Sequence, residues 1–300
     1  MESTHAGSLV ALDPGGEAVL SVGDPHQPIF GRSSVKPLQA VGMLTAGLDA
    51  DGERLALACA SHSGEPAHIA LVEAWLTELG LSVADLGTPP DLPLDPAAAR
   101  SLLRAGGEAD PLHHNCSGKH TGMLATCLAA GWPTGGYLDP EHPLQRHLLV
   151  TVADLCAEPV ATTAIDGCGA PLFATSLVGL ARAFARLVTS PPGSPERRVA
   201  DAARAHPGVI GGTGRDVTLL MRHVPGLLAK DGAEGVYAAA TAEGAAVALK
   251  VDDGAARARV PVLLAALAAL GTDVDQAPFG VPVLGGGVPV GEVRAVPLRP

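Results

Sequence analysis

The stretch VYAAATAEGAAVALKV, Val236–Val251, consists of two apolar runs rich in small and β-branched residues, joined by Ala-Glu-Gly. Two such runs around a short glycine-containing connection are typical of a β-hairpin. Near the amino terminus, SLVALD (8–13) and EAVLSVG (17–23) have the same strand-like character. Strands at both ends of a chain, with helical patterns between them, predict a mixed α/β (α+β) fold with an antiparallel sheet packed against helices.

Helical spacing dominates the middle of the chain, where apolar residues recur every three or four positions. One such segment follows Ser33, another ends at Gly80, and a later one precedes the loop TSPPGSP (189–195). Ser194 before Pro195 is typical of a helix start. We expect a single domain over 1–300, possibly with two lobes, with its helical part within about 33–190.

Composition excludes two classes of protein. A net charge of −11 leaves no basic stripe for nucleic acid. No segment approaches the roughly 18 uninterrupted apolar residues of a membrane span. The amino terminus lacks the features of a secretion signal, and five cysteines is an odd number. We therefore expect a cytoplasmic protein with reduced thiols, some of which are candidate metal ligands.

Lysine is scarce: of 20 basic residues apart from histidine, only four are lysines. An arginine is always charged, whereas a buried lysine can lose its proton and act as a base. In GRSSVKPLQ, Ser33 and Lys36 are three residues apart and share one face of the predicted helix. A serine without a histidine partner needs such a base to become a nucleophile. The alternative is a helix-capping serine with an exposed lysine.

A second group of polar residues lies in HHNCSGKHTGMLATC (113–127). Cys116 and Lys119 share a helix face, which predicts a lowered thiol pKa at Cys116 and a reactive or metal-binding thiolate. In AIDGCGAP (164–171), two glycines flank Cys168 and place its sulfur on a tight turn. The alternative is that Cys116 and Lys119 are ordinary residues at a helix start and that Cys168 is a free thiol in a simple turn.

The remaining candidates lie at turns. ASHSGEPAH (60–68) presents Ser61 and Ser63 where an element gives way to a loop. Lys250, near the end of a predicted strand, could aim its amine at Ser61, whereas Lys230 lies in a glycine-rich turn. GGTGRD (211–216) could form an anion-holding nest before a helix.

These motifs, in this order, resemble the bacterial asparaginase II family, the rhizobial-type or class 3 L-asparaginases. The resemblance runs through RSSVKPLQ, CASHSGEPAH, HHNCSGKHTGMLATC, DGCGAP, GGTGRD, KDGAEGV and ALKVDDG and spans nearly the whole chain. It implies a fold like the serine β-lactamases and penicillin-binding proteins. It also implies hydrolysis of L-asparagine to L-aspartate and ammonia, usually by a homodimer.

The resemblance also implies roles for individual residues. The catalytic set is Ser33, Lys36, Ser61 and Lys250. Lys230 is a nearby competitor for the place of Lys250. Zinc ligands are Cys116, Lys119 and Cys168, and the expected substrate-binding residues are Asp166, Ser63 and His120. A lysine binds zinc only as a neutral amine, and the metal can enforce that by competing with the proton.

Three alternatives to a serine asparaginase stay open at this point. One is a penicillin-reactive serine enzyme of the same fold. Another is a zinc-dependent protein that binds asparagine without turnover. The last is a metal-dependent hydrolase in which zinc-bound water is the nucleophile.

Overall fold

The computed structural model describes residues 2–298. Its central feature is a five-stranded antiparallel sheet in the order β2-β1-β8-β7-β6. A three-stranded antiparallel sheet has the order β3-β5-β4, and β9 and β10 form a separate hairpin. The strands are β1 (Gly7–Leu12), β2 (Ala18–Val22), β3 (Ile29–Phe30), β4 (Thr163–Ile165), β5 (Pro171–Thr175), β6 (Leu228–Asp231), β7 (Val236–Ala240), β8 (Ala246–Val251), β9 (Pro282–Gly285) and β10 (Val288–Glu292).

Eleven α-helices lie between these strands in the described part of the chain, and two of them directly follow a short 3₁₀ turn. They are α1 (Lys36–Thr45), α2 (Gly52–Ala58), α3 (Pro66–Glu78), α4 (Pro96–Arg104), α5 (Ser117–Ala130), α6 (Pro143–Cys156), α7 (Leu177–Thr189), α8 (Pro195–Ala205), α9 (Pro207–Ile210), α10 (Asp216–His223) and α11 (Arg259–Ala269).

The hairpin predicted over Val236–Val251 is confirmed as β7 and β8. Its turn closes with the Thr241 N–H donating to Ala245 O at 2.8 Å, and Gly244 takes a φ of +97°, which glycine adopts most readily. All five residues of β7 are buried. Because successive side chains of a strand point to opposite faces, the sheet is covered on both sides here.

Helices α7 and α11 cover the central sheet. Helix α7 packs on β1, β7 and β8, and α11 packs on β7 and β8. At the edge of the sheet, β6 contacts α10 and a 3₁₀ turn at Arg32–Val35. This edge therefore adjoins the start of α1, where the sequence predicted a nucleophile.

The predicted fold class is confirmed, since an antiparallel sheet is packed with helices. Ser194 caps α8 as expected, its hydroxyl accepting from Arg197 N–H at 3.2 Å. Helical structure continues beyond 190 through α8–α10, and the strands β4 and β5 lie inside the part of the chain expected to be helical. No helix of the described residues is long and apolar enough to cross a membrane.

Candidate active site

Ser33 lies in the 3₁₀ turn that precedes α1, on a bent segment of backbone. Arg32, immediately before it, has a φ of +51°, a left-handed conformation that costs free energy for a residue with a side chain. Gly31 leaves room for the turn, because a Cβ there would lie 2.7 Å from a methyl carbon of Val35. Ser33 is half-buried, whereas Ser34 is buried and its hydroxyl donates to Gly31 O at 2.6 Å. Of these two serines, only Ser33 is open to a ligand.

Lys36 is buried, and its amine has three acceptors. It donates to Ala60 O at 2.6 Å, to Ser61 Oγ at 2.8 Å and to Cys116 Sγ at 3.1 Å. The sequence predicted that Lys36 pairs with Ser33, and the structure joins it to Ser61 instead. The amine thereby links α1, the loop after α2 and the start of α5.

The loop after α2 is held by the end of α9 and the residues that follow it, 210–213. Ser61 N–H donates to Ile210 O at 3.0 Å, and Ser63 Oγ donates to Gly211 O at 2.8 Å. The hydroxyl of Ser63 is thus used in holding the loop, so its predicted contact with substrate finds no support here. The anion nest predicted at 211–216 is occupied by Glu65, whose carboxylate accepts from Thr213 N–H at 2.6 Å.

Cys116, Lys119 and Cys168 lie together, as predicted. Cys116 immediately precedes α5, and Lys119 follows within its first turn. Cys168 comes from the turn between β4 and β5, and its sulfur accepts from the Lys119 amine at 3.0 Å. All three side chains are buried.

The two buried sulfurs of this cluster shift each other's pKa in opposite directions. A hydrogen bond with Cys168 and burial raise the pKa of Cys116 well above its usual value. The same hydrogen bond, together with Lys119, lowers the pKa of Cys168 against the effect of burial. The predicted thiolate at Cys116 therefore stays a prediction; in the structure, Cys116 Sγ donates to Asn115 Oδ1 at 3.0 Å.

The three donors suit zinc, which prefers sulfur and nitrogen ligands. Burial opposes the charge on Lys119, but the two neighbouring sulfurs raise its pKa, so a bound metal must displace a proton from the amine. Among the described residues, no group of three or more His, Cys, Asp and Glu side chains could hold a metal ion. A zinc site here depends on Lys119 as the third ligand.

Asp166 lies between this cluster and the turn that carries Ser33. Its Oδ1 accepts from Arg32 Nε at 2.7 Å, and its Oδ2 is 3.5 Å from Cys168 Sγ. Arg32 also lies 3.9 Å from Glu234 through its Nη1. Asp166 was predicted from the sequence and Arg32 was not, because nothing in the motif indicates the left-handed backbone of Arg32.

His120 is fully buried beside Tyr137. Gly87 N–H donates to the Tyr137 hydroxyl at 2.8 Å, and the hydroxyl donates to His120 Nδ1 at 2.7 Å. Burial lowers the pKa of His120 to about 4, so the ring is neutral near pH 7. Its Nε2 has no hydrogen-bond partner among residues 2–298, which is consistent with the predicted role toward a bound ligand.

The sequence left Lys230 as a competitor of Lys250 for the second lysine, and the structure separates the two. Lys250 lies in β8, between β1 and β7, and its amine donates to Val251 O; no hydrogen bond joins it to Ser61. Lys230, the competitor, lies on the edge strand β6 and is fully buried. Burial lowers the pKa of Lys230 to about 8 against the effect of Asp231, and the positive charge of Lys36 lowers it further. Lys36 therefore lies close enough to Lys230 to act on its charge.

No curated protein matches this chain. Among solved structures, it is similar to a β-lactamase from Mycobacterium bovis, with 13% sequence identity, a TM-score of 0.43 and coverage of 83% of this chain and 88% of that one. The family model for L-asparaginase II matches residues 1–295. The chain therefore belongs to the L-asparaginase II family.

Proposed function

We propose that this protein hydrolyses L-asparagine to L-aspartate and ammonia through an acyl-enzyme on Ser33. Membership of the L-asparaginase II family supports the reaction. The observation that carries the chemistry is the amine of Lys36, which is buried and hydrogen-bonded to Ser61 Oγ at 2.8 Å beside the turn that holds Ser33.

Lys36 and Ser61 act as one proton-transfer unit in this proposal. A lysine ammonium has three hydrogens, and all three have acceptors here. Lys36 acts as a neutral amine that takes the proton of Ser33, and the Ser61 hydroxyl is a suitable route for passing that proton on. Ser33 Oγ then attacks the side-chain amide carbon of asparagine. The proton passed through Ser61 goes to the leaving nitrogen, which departs as ammonia.

The negative charge on the attacked oxygen needs backbone donors. The N–H groups of Ser33 and Ala233 have no acceptor within residues 2–298. The turn after β6 and the turn that carries Ser33 lie close together. A Cβ on Gly232 would be 2.7 Å from Gly31 O and 3.4 Å from Ser34 N. These two N–H groups are therefore the candidates for the oxyanion site.

Water then hydrolyses the acyl-enzyme. In this proposal Lys230, rather than Lys250, activates the water. The pKa of Lys230, about 8, leaves a useful neutral fraction of its amine near neutral pH. Cys116, Lys119 and Cys168 would hold zinc, which supplies a Lewis acid for orienting the polar end of the substrate. Asp166 and His120 line this side of the site.

The decisive experiment measures ammonia release from L-asparagine, with L-glutamine and D-asparagine as comparison substrates. Wild-type protein should release ammonia fastest from L-asparagine, and Ser33→Ala should lose at least about a thousandfold in kcat. Mass spectrometry of rapidly quenched wild-type protein should show the acyl group on the peptide that contains Ser33. Wild-type-like turnover by Ser33→Ala would sink the nucleophile assignment and favour a metal-bound water.

The family resemblance further leads us to propose a homodimer in the cytoplasm. Sedimentation of the purified protein at micromolar concentration measures the oligomeric state directly. A mass of about twice the 30.1 kDa of the chain is expected, and a single-chain mass would contradict the proposal.

A further inference from the structure

Lys230 is held by the residue that follows it in the chain. Its amine donates to Asp231 Oδ1 at 2.7 Å and to Asp231 O at 2.8 Å. Two of the three amine hydrogens are therefore used by one neighbour. The direction of the remaining hydrogen, or of the lone pair when the amine is neutral, follows from these two bonds. Because the Lys230 side chain is fully buried, solvent does not compete for them.

Asp231 is in turn held by arginines from two other elements. Its Oδ2 accepts from Arg215 Nη2 at 2.7 Å, just before α10. Arg259, at the start of α11, has its Nη1 3.9 Å from Asp231 Oδ2 and donates from the same atom to Gly232 O at 2.6 Å. Oδ1 of Asp231 thus contacts Lys230 and Oδ2 contacts Arg215, while Arg259 holds the turn after β6 through Gly232 O.

We propose that Asp231 is a positioning residue for the hydrolysis: its carboxylate, anchored by Arg215, holds the Lys230 amine at the edge of the site. The proposal rests on the function proposed above, in which Lys230 assists hydrolysis of the acyl-enzyme. Apart from Lys230, no residue of the proposed catalytic site has a hydrogen bond to Asp231 within the described residues. It acts through Lys230.

The charges around the two residues support this arrangement. Burial raises the pKa of Asp231, but Lys230, Arg215 and Arg259 outweigh it and hold that pKa well below its usual range. The groups that face Lys230 are Asp231 on its own strand, Lys36 on α1, Arg215 before α10 and Cys59 after α2. Among them, Asp231 alone is a carboxylate, so it is the group that keeps a buried amine able to hold a proton.

The test compares Asp231→Asn with Asp216→Asn. Each removes one carboxylate from the same cluster, but Asp216 is half-buried, lies 3.6 Å from Arg259 Nη2 and makes no hydrogen bond or ion pair with Lys230. Asp231→Asn should lower kcat at pH 7 by at least about tenfold with KM changed by less than about threefold. Asp231→Glu should recover part of that loss, and Asp216→Asn should stay within about threefold of wild type.

A second measurement does not depend on turnover. The chain has only four lysines, so protein labelled with ¹³C at lysine Cε gives four signals, and the spectrum of Lys230→Arg identifies the one from Lys230. In wild type this signal should titrate at about pH 8. In Asp231→Asn it should titrate at least about one unit lower, because burial and the cations then act unopposed. Asp216→Asn should leave it in place.

The outcomes separate the two proposals. A Lys230 midpoint that moves by less than about half a unit in Asp231→Asn overturns the positioning role, whatever the enzyme does. Lack of asparaginase activity in wild type overturns the proposed function, and the titration still reports on Asp231. If Asp231→Asn does not fold because Arg215 is left unpaired, Asp231→Asn/Arg215→Gln is compared with Arg215→Gln, so that the loss of the Arg215 charge is the same in both proteins.

Discussion

Lys36 shows why the type of basic residue matters at this site. Lys36→Arg keeps the positive charge but replaces a compact amine by a guanidinium that does not lose its proton. The buried position also has no room for a fork of five donors, since its three acceptors lie around one nitrogen. We expect kcat for asparagine hydrolysis to fall at least about a hundredfold. Steady-state ammonia release measures it; activity within threefold of wild type would remove Lys36 as the base.

The two competing lysines can be distinguished in the same assay. Lys230→Arg should lose most of the activity, because the fully buried amine is hydrogen-bonded to Asp231 at the edge of the site. Lys250→Arg should keep more than about half of it, because that amine donates only to Val251 O. The reverse ranking of the two variants would restore Lys250 as the partner of Ser61.

The metal site also depends on single donors. Purified wild-type protein should contain about one zinc per chain by elemental analysis. Cys168→Ser and Lys119→Arg should each bind zinc at least tenfold more weakly, since the first replaces a soft donor and the second removes the amine lone pair. Cys127→Ser is the matched control, a buried thiol later on α5 that has no contact with the cluster. Equal zinc in all four proteins would contradict the assignment.

At the scale of elements, the turn after β6 must pack closely against the turn that carries Ser33. A Cβ on Gly232 would lie 2.7 Å from Gly31 O, a backbone atom that cannot move without shifting Ser33. Gly232→Ala should therefore cost about 1–3 kcal/mol of unfolding free energy and lower kcat more than tenfold. Gly135→Ala is the control, because a Cβ there meets nothing within 4 Å. Urea unfolding and ammonia release measure the two effects; a stable, fully active Gly232→Ala would contradict this packing.

The sequence was sufficient for the parts of the fold that depend on local pattern. The β7–β8 hairpin, α1 after Ser33 and the capping of α8 all follow from apolar spacing and turn residues. The choice between Lys230 and Lys250 does not, because it depends on which strand lies at the sheet edge beside α1. That edge is set by pairing between segments far apart in the chain.

Charges inside the site were the least predictable from sequence. Spacing on a helix brought Cys116 and Lys119 together, but Cys168, which accepts from the Lys119 amine, comes from the turn between β4 and β5. Similarly, Ser63 is in the right motif, yet its hydroxyl is used by Gly211 O. Short motifs therefore predicted which residues lie together better than they predicted the contacts that each residue makes.

At the scale of the whole molecule, buried neutral histidines should make the fold sensitive to acid. Burial lowers the pKa of His62, His68, His114 and His120. In the unfolded chain histidines take up protons near pH 6.5, so below that pH the unfolded state binds more protons than the folded state. The free energy of unfolding should then fall, by about 1.4 kcal/mol per pH unit for each histidine that stays neutral in the fold.

This dependence can be measured between pH 6.5 and 5, above the range in which most carboxylates are protonated. His62 is the best position for the variant, since its ring is fully buried. Both ring nitrogens are already hydrogen-bonded: Nε2 donates to Ser117 Oγ at 2.9 Å, and Nδ1 accepts from Gly64 N–H at 3.2 Å. His62→Gln should lower stability at pH 7.5 and also flatten the fall in stability with acid by about 1.4 kcal/mol per pH unit. His26→Gln changes an exposed ring and should leave the slope unaltered. Urea unfolding at each pH gives the slopes, and equal slopes for wild type and His62→Gln would show that His62 takes up its proton without unfolding the protein.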